Sequence, residues 1–218
     1  MVSLVLAATL TQSVIKVACV GDSITYGFAL PDATRARDCY PAVLGKRLGG
    51  GYEVMNFGKP GCTLMNLSWL PPLIKTEEYK KSLEFKPNVV ILMGGTNDGH
   101  PRNWAHISQL DNDLKAIVKS YQGLASHPKI YIAMPPRLLT KAEKGVIDDV
   151  QCDNVNQKLP PLIRVFAKSN GLPIIETRAI ITTRDCYTMD GIHLSEKGCS
   201  KLANQVAITL LKKKSAAK

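Results

Sequence analysis

Apolar residues gather into five short runs along the chain: VIKVACV (Val14–Val20), YEVMN (Tyr52–Asn56), NVVILM (Asn88–Met93), KIYIAM (Lys129–Met134) and LPIIE (Leu172–Glu176). Continuous rather than alternating apolar stretches are the mark of strands covered on both faces, as in a parallel sheet. Between the runs, apolar positions recur every three or four residues. YPAVLGKRL predicts a helix after the first strand. The stretch from Trp104 to about Tyr121 sets Ile107, Leu110, Leu114, Ile117 and Val118 on one helical face. LPPLIRVFAKSNG ends on a glycine suited to close a helix, and SEKGCSKLANQVAITLLKK opens on Ser195 as an N-cap, with Leu202, Val206 and Leu210 spaced by four.

This alternation predicts an α/β fold, a three-layer α/β/α sandwich around a five-stranded parallel sheet, with ligands at the carboxyl ends of the strands. The first three strands each run into a polar, glycine-containing loop: GDSITYG, FGKPGCT and GGTNDGH. The fold therefore predicts that these three loops meet at one edge of the sheet. The least regular segment, Pro135 to Asp153, reads as a long excursion forming a lid or pocket wall.

Composition adds bounds. With 218 residues and 45% hydrophobic content, the chain suffices for one well-buried domain, placed at residues 14–211. Residues 1–13, MVSLVLAATLTQS, lack the basic start of a signal peptide and read as an N-terminal extension or a leader remnant; residues 212–218 form a basic tail. The net charge of +10 first suggests a polyanionic partner, but six lysines against one glutamate from Glu196 onward carry about half of it. Without aromatic-basic interleaving or zinc-finger spacing, no nucleic-acid partner is expected. No apolar run reaches the roughly 18 residues of a membrane span. Six cysteines contain no CxxC pair, so no metal site is expected; they permit up to three disulfides, and Cys19, inside a strand pattern, reads as a free core thiol. Compartment and oligomeric state are not legible.

Four histidines are candidate bases. His100 follows GTNDG and is placed to line a cleft. His106 falls on the Trp104 helix, and His127 precedes a proline in a loop. His193 lies in DGIH, three residues after Asp190, a spacing that lets a carboxylate hold the imidazole Nδ1–H and leave Nε2 as general base. Ser23, in GDSITYG, fits neither the G-x-S-x-G elbow nor a phosphate-binding loop. At a strand–helix junction it is either a nucleophile or, with Asp22, the cap of the next helix. Gly61 can present a backbone N–H and Asn97 a side-chain amide to an oxyanion; each also reads as an ordinary turn residue.

Taken in order, GDSITYG, NFGKPGCT, GGTND and DGIH resemble the four blocks of the SGNH hydrolases, the GDSL esterase/lipase superfamily, over about Val14 to Leu211. The resemblance implies the flavodoxin-like fold of that superfamily. It implies Ser23 as nucleophile, His193 and Asp190 as its partners, and an oxyanion hole from Ser23 N–H, Gly61 N–H and Asn97. EYKKSLEFKPNVVILMGGTNDGHPRNW is similar to small carbohydrate acetylesterases. That likeness implies a serine esterase acting without cofactor on short-chain, acetyl esters, with a small-molecule or oligosaccharide substrate. Asp22, Trp69 and Trp104 are its candidate substrate contacts. A thioesterase or lysophospholipase with the same residues, and a non-catalytic carbohydrate-binding module, are the alternatives. Two features depart from those relatives: Pro160-Pro161 falls where a helix should continue, and six cysteines are many.

Overall fold

The computed structural model describes residues 13–215. Five strands, β1 (Ile15–Gly21), β2 (Tyr52–Gly58), β3 (Val89–Met93), β4 (Lys129–Ala133) and β5 (Ile174–Ile175), form one sheet in the order β2-β1-β3-β4-β5. All neighbours pair in parallel, from Ile15 opposite Tyr52 to Ala133 opposite Ile175. Nine α-helices follow in chain order: α1 (Ser23–Tyr26), α2 (Asp32–Asp38), α3 (Tyr40–Leu48), α4 (Glu77–Glu84), α5 (Pro101–Trp104), α6 (Leu110–Gln122), α7 (Asp149–Asp153), α8 (Leu159–Ser169) and α9 (Glu196–Ser215).

Successive strand side chains point to opposite faces, and the core divides accordingly. Val17, Cys19, Ile91 and Met93 pack with α3 and α9, through Leu44, Leu202 and Val206. Ala18, Val20, Val90 and Leu92 pack with α4, α6 and α8, through Tyr79, Leu114, Ile117, Ile163 and Phe166. The three-layer sandwich is thus present, with the continuous apolar runs on the central strands. Edge strand β2 differs: its first residues alternate between half-buried and exposed, because it pairs on one side only. The chain passes from β2, on one side of β1, to β3 on the other. The crevice above β1 and β3 is therefore the switch point where such sheets bind ligands.

Several expected boundaries move. The predicted helix from Trp104 to Tyr121 is divided into α5, a 3-10 turn at Ile107–Gln109, and α6. Asn103, in α5 before the break, is fully buried. The prolines at 160 and 161 do not interrupt the helix. α7 runs into α8 through a π-helical turn, Asn154–Lys158. Neither proline has an N–H for the preceding turn, and the Arg178 guanidinium donates instead to the carbonyls of Val155 and Asn156 at 3.1 and 2.9 Å. α9 continues to Ser215, two residues beyond the expected stretch ending at Lys213, and Ser195 Oγ accepts from Gly198 N–H as its cap. Residues 1–12 of the expected extension and 216–218 of the tail lie outside the described residues. All six cysteines are buried and unpaired. Among the described residues no helix is long and apolar enough to cross a membrane.

Candidate active site

The loops after β1, β2 and β3 meet at one edge of the sheet. Gly21, the last residue of β1, accepts at its carbonyl from Lys59 N–H at 2.8 Å and from Cys62 Sγ at 3.6 Å, both in the loop after β2. A Cβ on Gly21 would lie 2.0 Å from the Met93 carbonyl oxygen, and one on Gly58 would lie 2.2 Å from Tyr26 N. Only glycine allows the strands and the next turn to approach this closely.

Ser23 opens the single-turn helix α1. Asp22 caps that turn, its Oδ1 accepting from Ile24 N–H at 2.9 Å. Asp22 is thus the cap, while the Ser23 hydroxyl is left to face His193. His193 Nε2 lies 2.9 Å from Ser23 Oγ, and its Nδ1 lies 2.6 Å from Asp190 Oδ2. With Nδ1–H donated to the carboxylate, Nε2 is free to accept from the serine hydroxyl. Ser23 is only 6% exposed, more enclosed than a loop hydroxyl. The other oxygen of Asp190 accepts from Ile192 N–H, His193 N–H and Thr188 Oγ1 at 2.8, 3.0 and 2.9 Å. Burial opposes the charge on Asp190, but the bonds from the His193 ring and these backbone groups outweigh it and hold the carboxyl well below its usual range.

The expected oxyanion donors come from the other two loops. Gly61 has φ +75°, and nothing lies within 4 Å of where a Cβ would stand, so the space beside its Cα is open. Asn97 donates one N–H of its amide to the Cys62 carbonyl at 2.8 Å, leaving the second for a ligand. The neighbouring Asp98, fully buried, accepts from Leu64 N–H and Met65 N–H at 3.0 and 2.9 Å. Burial pushes Asp98 up to about 7 and Asp22 up to about 6. Asp22 Oδ2 has no hydrogen-bond partner.

Of the two tryptophans, Trp69 stands largely in solvent, while Trp104 is half-buried against the core of α6 and α8. His100 sits near Trp69, with ring centroids 5.3 Å apart. The Pro135–Asp153 excursion forms a wall against the Asp190 turn. Leu139 N–H donates to Gly191 O at 2.9 Å, and Val146 N–H to Asp190 O at 3.2 Å. A paired Arg137–Glu143 contact at 2.8 and 2.7 Å stiffens that wall.

Four residues of the site are absent from the sequence reading. Phe28 packs its ring 4.8 Å from that of His193. Arg184 donates to three consecutive carbonyls, Tyr187, Thr188 and Met189, at 3.2, 2.7 and 3.2 Å, clamping the approach to Asp190. Asn103 donates to the Asn97 carbonyl at 2.8 Å, and Asp98 ties the loop after β3 to Leu64 and Met65 after β2. Phe28, Arg184 and Asn103 themselves lie outside the short motifs that carry Ser23 and His193, and only Asp98, beside Asn97 in GGTND, has a signal in the sequence.

Residues 19–200, which hold all of these elements, match the GDSL-like lipase/acylhydrolase family. The chain belongs to that family. It is 33% identical over a 217-residue alignment to an acetylxylan esterase of Xylanibacter ruminicola, covering 91% of this chain but 44% of that protein, so it spans less than half the relative's length. The fold is similar to that of a carbohydrate acetylesterase from Sinorhizobium meliloti (TM-score 0.72, 21% identity, 91% of this chain and 99% of that one). It is also similar to the M. smegmatis aryl esterase (TM-score 0.71, 20% identity, 91% and 99%). A third likeness is to a lipase/acylhydrolase from Enterococcus faecalis (TM-score 0.70, 18% identity, 91% and 96%).

Proposed function

We propose that this member of the GDSL-like family is a serine esterase that removes acetyl groups from carbohydrates. The supporting observation is the hydrogen-bonded series Ser23 Oγ, His193 Nε2, His193 Nδ1, Asp190 Oδ2, with links of 2.9 and 2.6 Å. His193 takes the proton of Ser23 as Oγ attacks the ester carbonyl, and Asp190 stabilises the imidazolium that forms. The tetrahedral oxyanion is received by the N–H groups of Ser23 and Gly61 and by the free amide N–H of Asn97. His193 then protonates the departing alcohol. Water, activated by the same imidazole, releases acetate from the acyl-serine. Side chains and backbone N–H groups of one domain, residues 14–211, carry every step. The acetyl-carbohydrate assignment draws on the acetylxylan esterase relative.

The test is a series of p-nitrophenyl esters from acetate to palmitate, followed by acetylated xylo-oligosaccharides, for wild type and Ser23→Ala. The reading expects Ser23-dependent turnover that falls steeply beyond butyrate, together with acetate release from the oligosaccharides. Turnover rising with chain length would replace it with a thioesterase or lysophospholipase. Turnover that survives Ser23→Ala would remove Ser23 as nucleophile.

A further inference from the structure

The oxyanion residue Asn97 is joined to an exposed aromatic and basic platform through one buried side chain. Asn103 donates Nδ2 to the Asn97 carbonyl, while its Oδ1 accepts from Ser68 Oγ at 2.9 Å and from Trp69 N–H at 3.3 Å. The backbone of Trp69 is therefore held in register with Asn97. His100 comes from the same turn, its N–H donating to the Asn97 carbonyl at 3.2 Å, and its Nδ1 accepts from Arg102 N–H at 3.3 Å. The Arg102 guanidinium lies over the Trp69 ring, 5.6 Å from its centroid.

Two features of this platform point to a ligand. Trp69 leaves 56% of its surface in solvent while its backbone N–H is held by Asn103, so a large apolar surface stays open beside Arg102 and His100. Among the described residues, no carboxylate pairs with Arg102. Acids on the adjoining elements are already engaged: Asp98 with Leu64 and Met65, Asp113 with Asn66, and Asp111 with Lys115. The result is an apolar aromatic surface beside a planar cation that has no carboxylate partner, the pairing that suits a sugar ring bearing a carboxylate.

We propose that Trp69 and Arg102 form a subsite for a uronic-acid residue neighbouring the acetylated sugar, so that the enzyme prefers acetyl esters on acidic oligosaccharides. The indole covers the C–H face of the sugar, and the guanidinium pairs with its carboxylate. The inference rests on the carbohydrate-esterase reading and narrows its substrate class.

The experiment compares kcat/KM for acetate release from two acetylated oligosaccharides differing only by one uronic-acid residue, for wild type, Arg102→Gln and Trp69→Ala. p-Nitrophenyl acetate serves as the reference substrate. Wild type is expected to favour the acidic oligosaccharide by about tenfold at low salt, the scale of one charge-assisted hydrogen bond. In Arg102→Gln that ratio should collapse toward one, and in wild type it should shrink in high salt. Trp69→Ala should raise KM for both oligosaccharides more than for p-nitrophenyl acetate. Equal efficiency on the two oligosaccharides, or a preference that survives Arg102→Gln, would overturn the subsite alone. Turnover of p-nitrophenyl acetate with neither oligosaccharide hydrolysed would overturn the carbohydrate reading and the subsite together.

Discussion

The side-chain amide of Asn97 donates to the backbone carbonyl of Cys62 at 2.8 Å, binding the loop after β3 to the loop that presents Gly61. In the proposed mechanism one residue thus both supplies an oxyanion donor and fixes the loop holding another. Asn97→Ala removes both effects. Its kcat should fall by about a hundredfold to a thousandfold, the usual cost of one oxyanion donor, with a smaller change in KM. Steady-state kinetics on a short-chain ester checks this, and a pure rise in KM would exclude the oxyanion role.

Asp98 makes the same connection from within the core. Asp98→Ala leaves the N–H groups of Leu64 and Met65 buried without acceptors, each unmet group costing about 1–3 kcal/mol. Urea denaturation should show a loss of at least about 2 kcal/mol, accompanied by reduced kcat. Full stability in the variant would contradict the tethering role.

Asp190→Asn retains the shape of the carboxylate while removing its charge, and an amide in that position favours the wrong imidazole tautomer. Turnover should drop by about a thousandfold or more at neutral pH. Because several backbone and hydroxyl donors still meet the side chain, circular dichroism should show a folded protein. Arg184→Met, which frees the three carbonyls before Asp190, should lower kcat by a smaller factor, about tenfold, the scale of one lost polar contact.

Asp22 contributes to the pH dependence of stability, as does Asp98, whose pKa burial raises in the same direction. Burial raises its folded pKa to about 6, above the value near 4 expected of an unfolded aspartate, roughly 3.9. The folded state thus holds this proton more tightly than the unfolded state. The group penalises folding above its folded pKa, and the penalty fades as pH falls through about 6 toward 4. Asp22→Asn keeps the cap oxygen and removes the charge. Melting temperatures should favour the variant at pH 8, and the gap should close by pH 4.5. A gap independent of pH would show that Asp22 does not titrate in this range.

The sequence makes the sheet and the three loop tips legible because their signals are local. A continuous apolar run identifies a buried strand, and GDS, GTND and DGIH each hold their candidate site residues within a few positions. The misses have a shared cause in long-range contact. β5, reduced from the expected Leu172–Glu176 to Ile174–Ile175, extends only as far as its ladder with Ile132 and Ala133 of β4, a pairing the apolar run alone does not show. The π turn before Pro160 depends on Arg178, eighteen residues beyond it, to take the carbonyls of Val155 and Asn156. Phe28 reaches His193 only because Gly27 (φ +85°) and Ala29 (φ +70°) fold the chain back beside it. No periodicity or short motif encodes such meetings.

The bond between Ser23 and His193 joins positions 170 residues apart. One partner emerges early in synthesis and the other close to the last helix. A growing or truncated chain can form β1 and its loop long before it holds the imidazole that meets the Ser23 hydroxyl. Hydrolysis should therefore return last on refolding, after secondary structure and core fluorescence have recovered. Regained activity would then report closure of the whole sheet rather than formation of any single element.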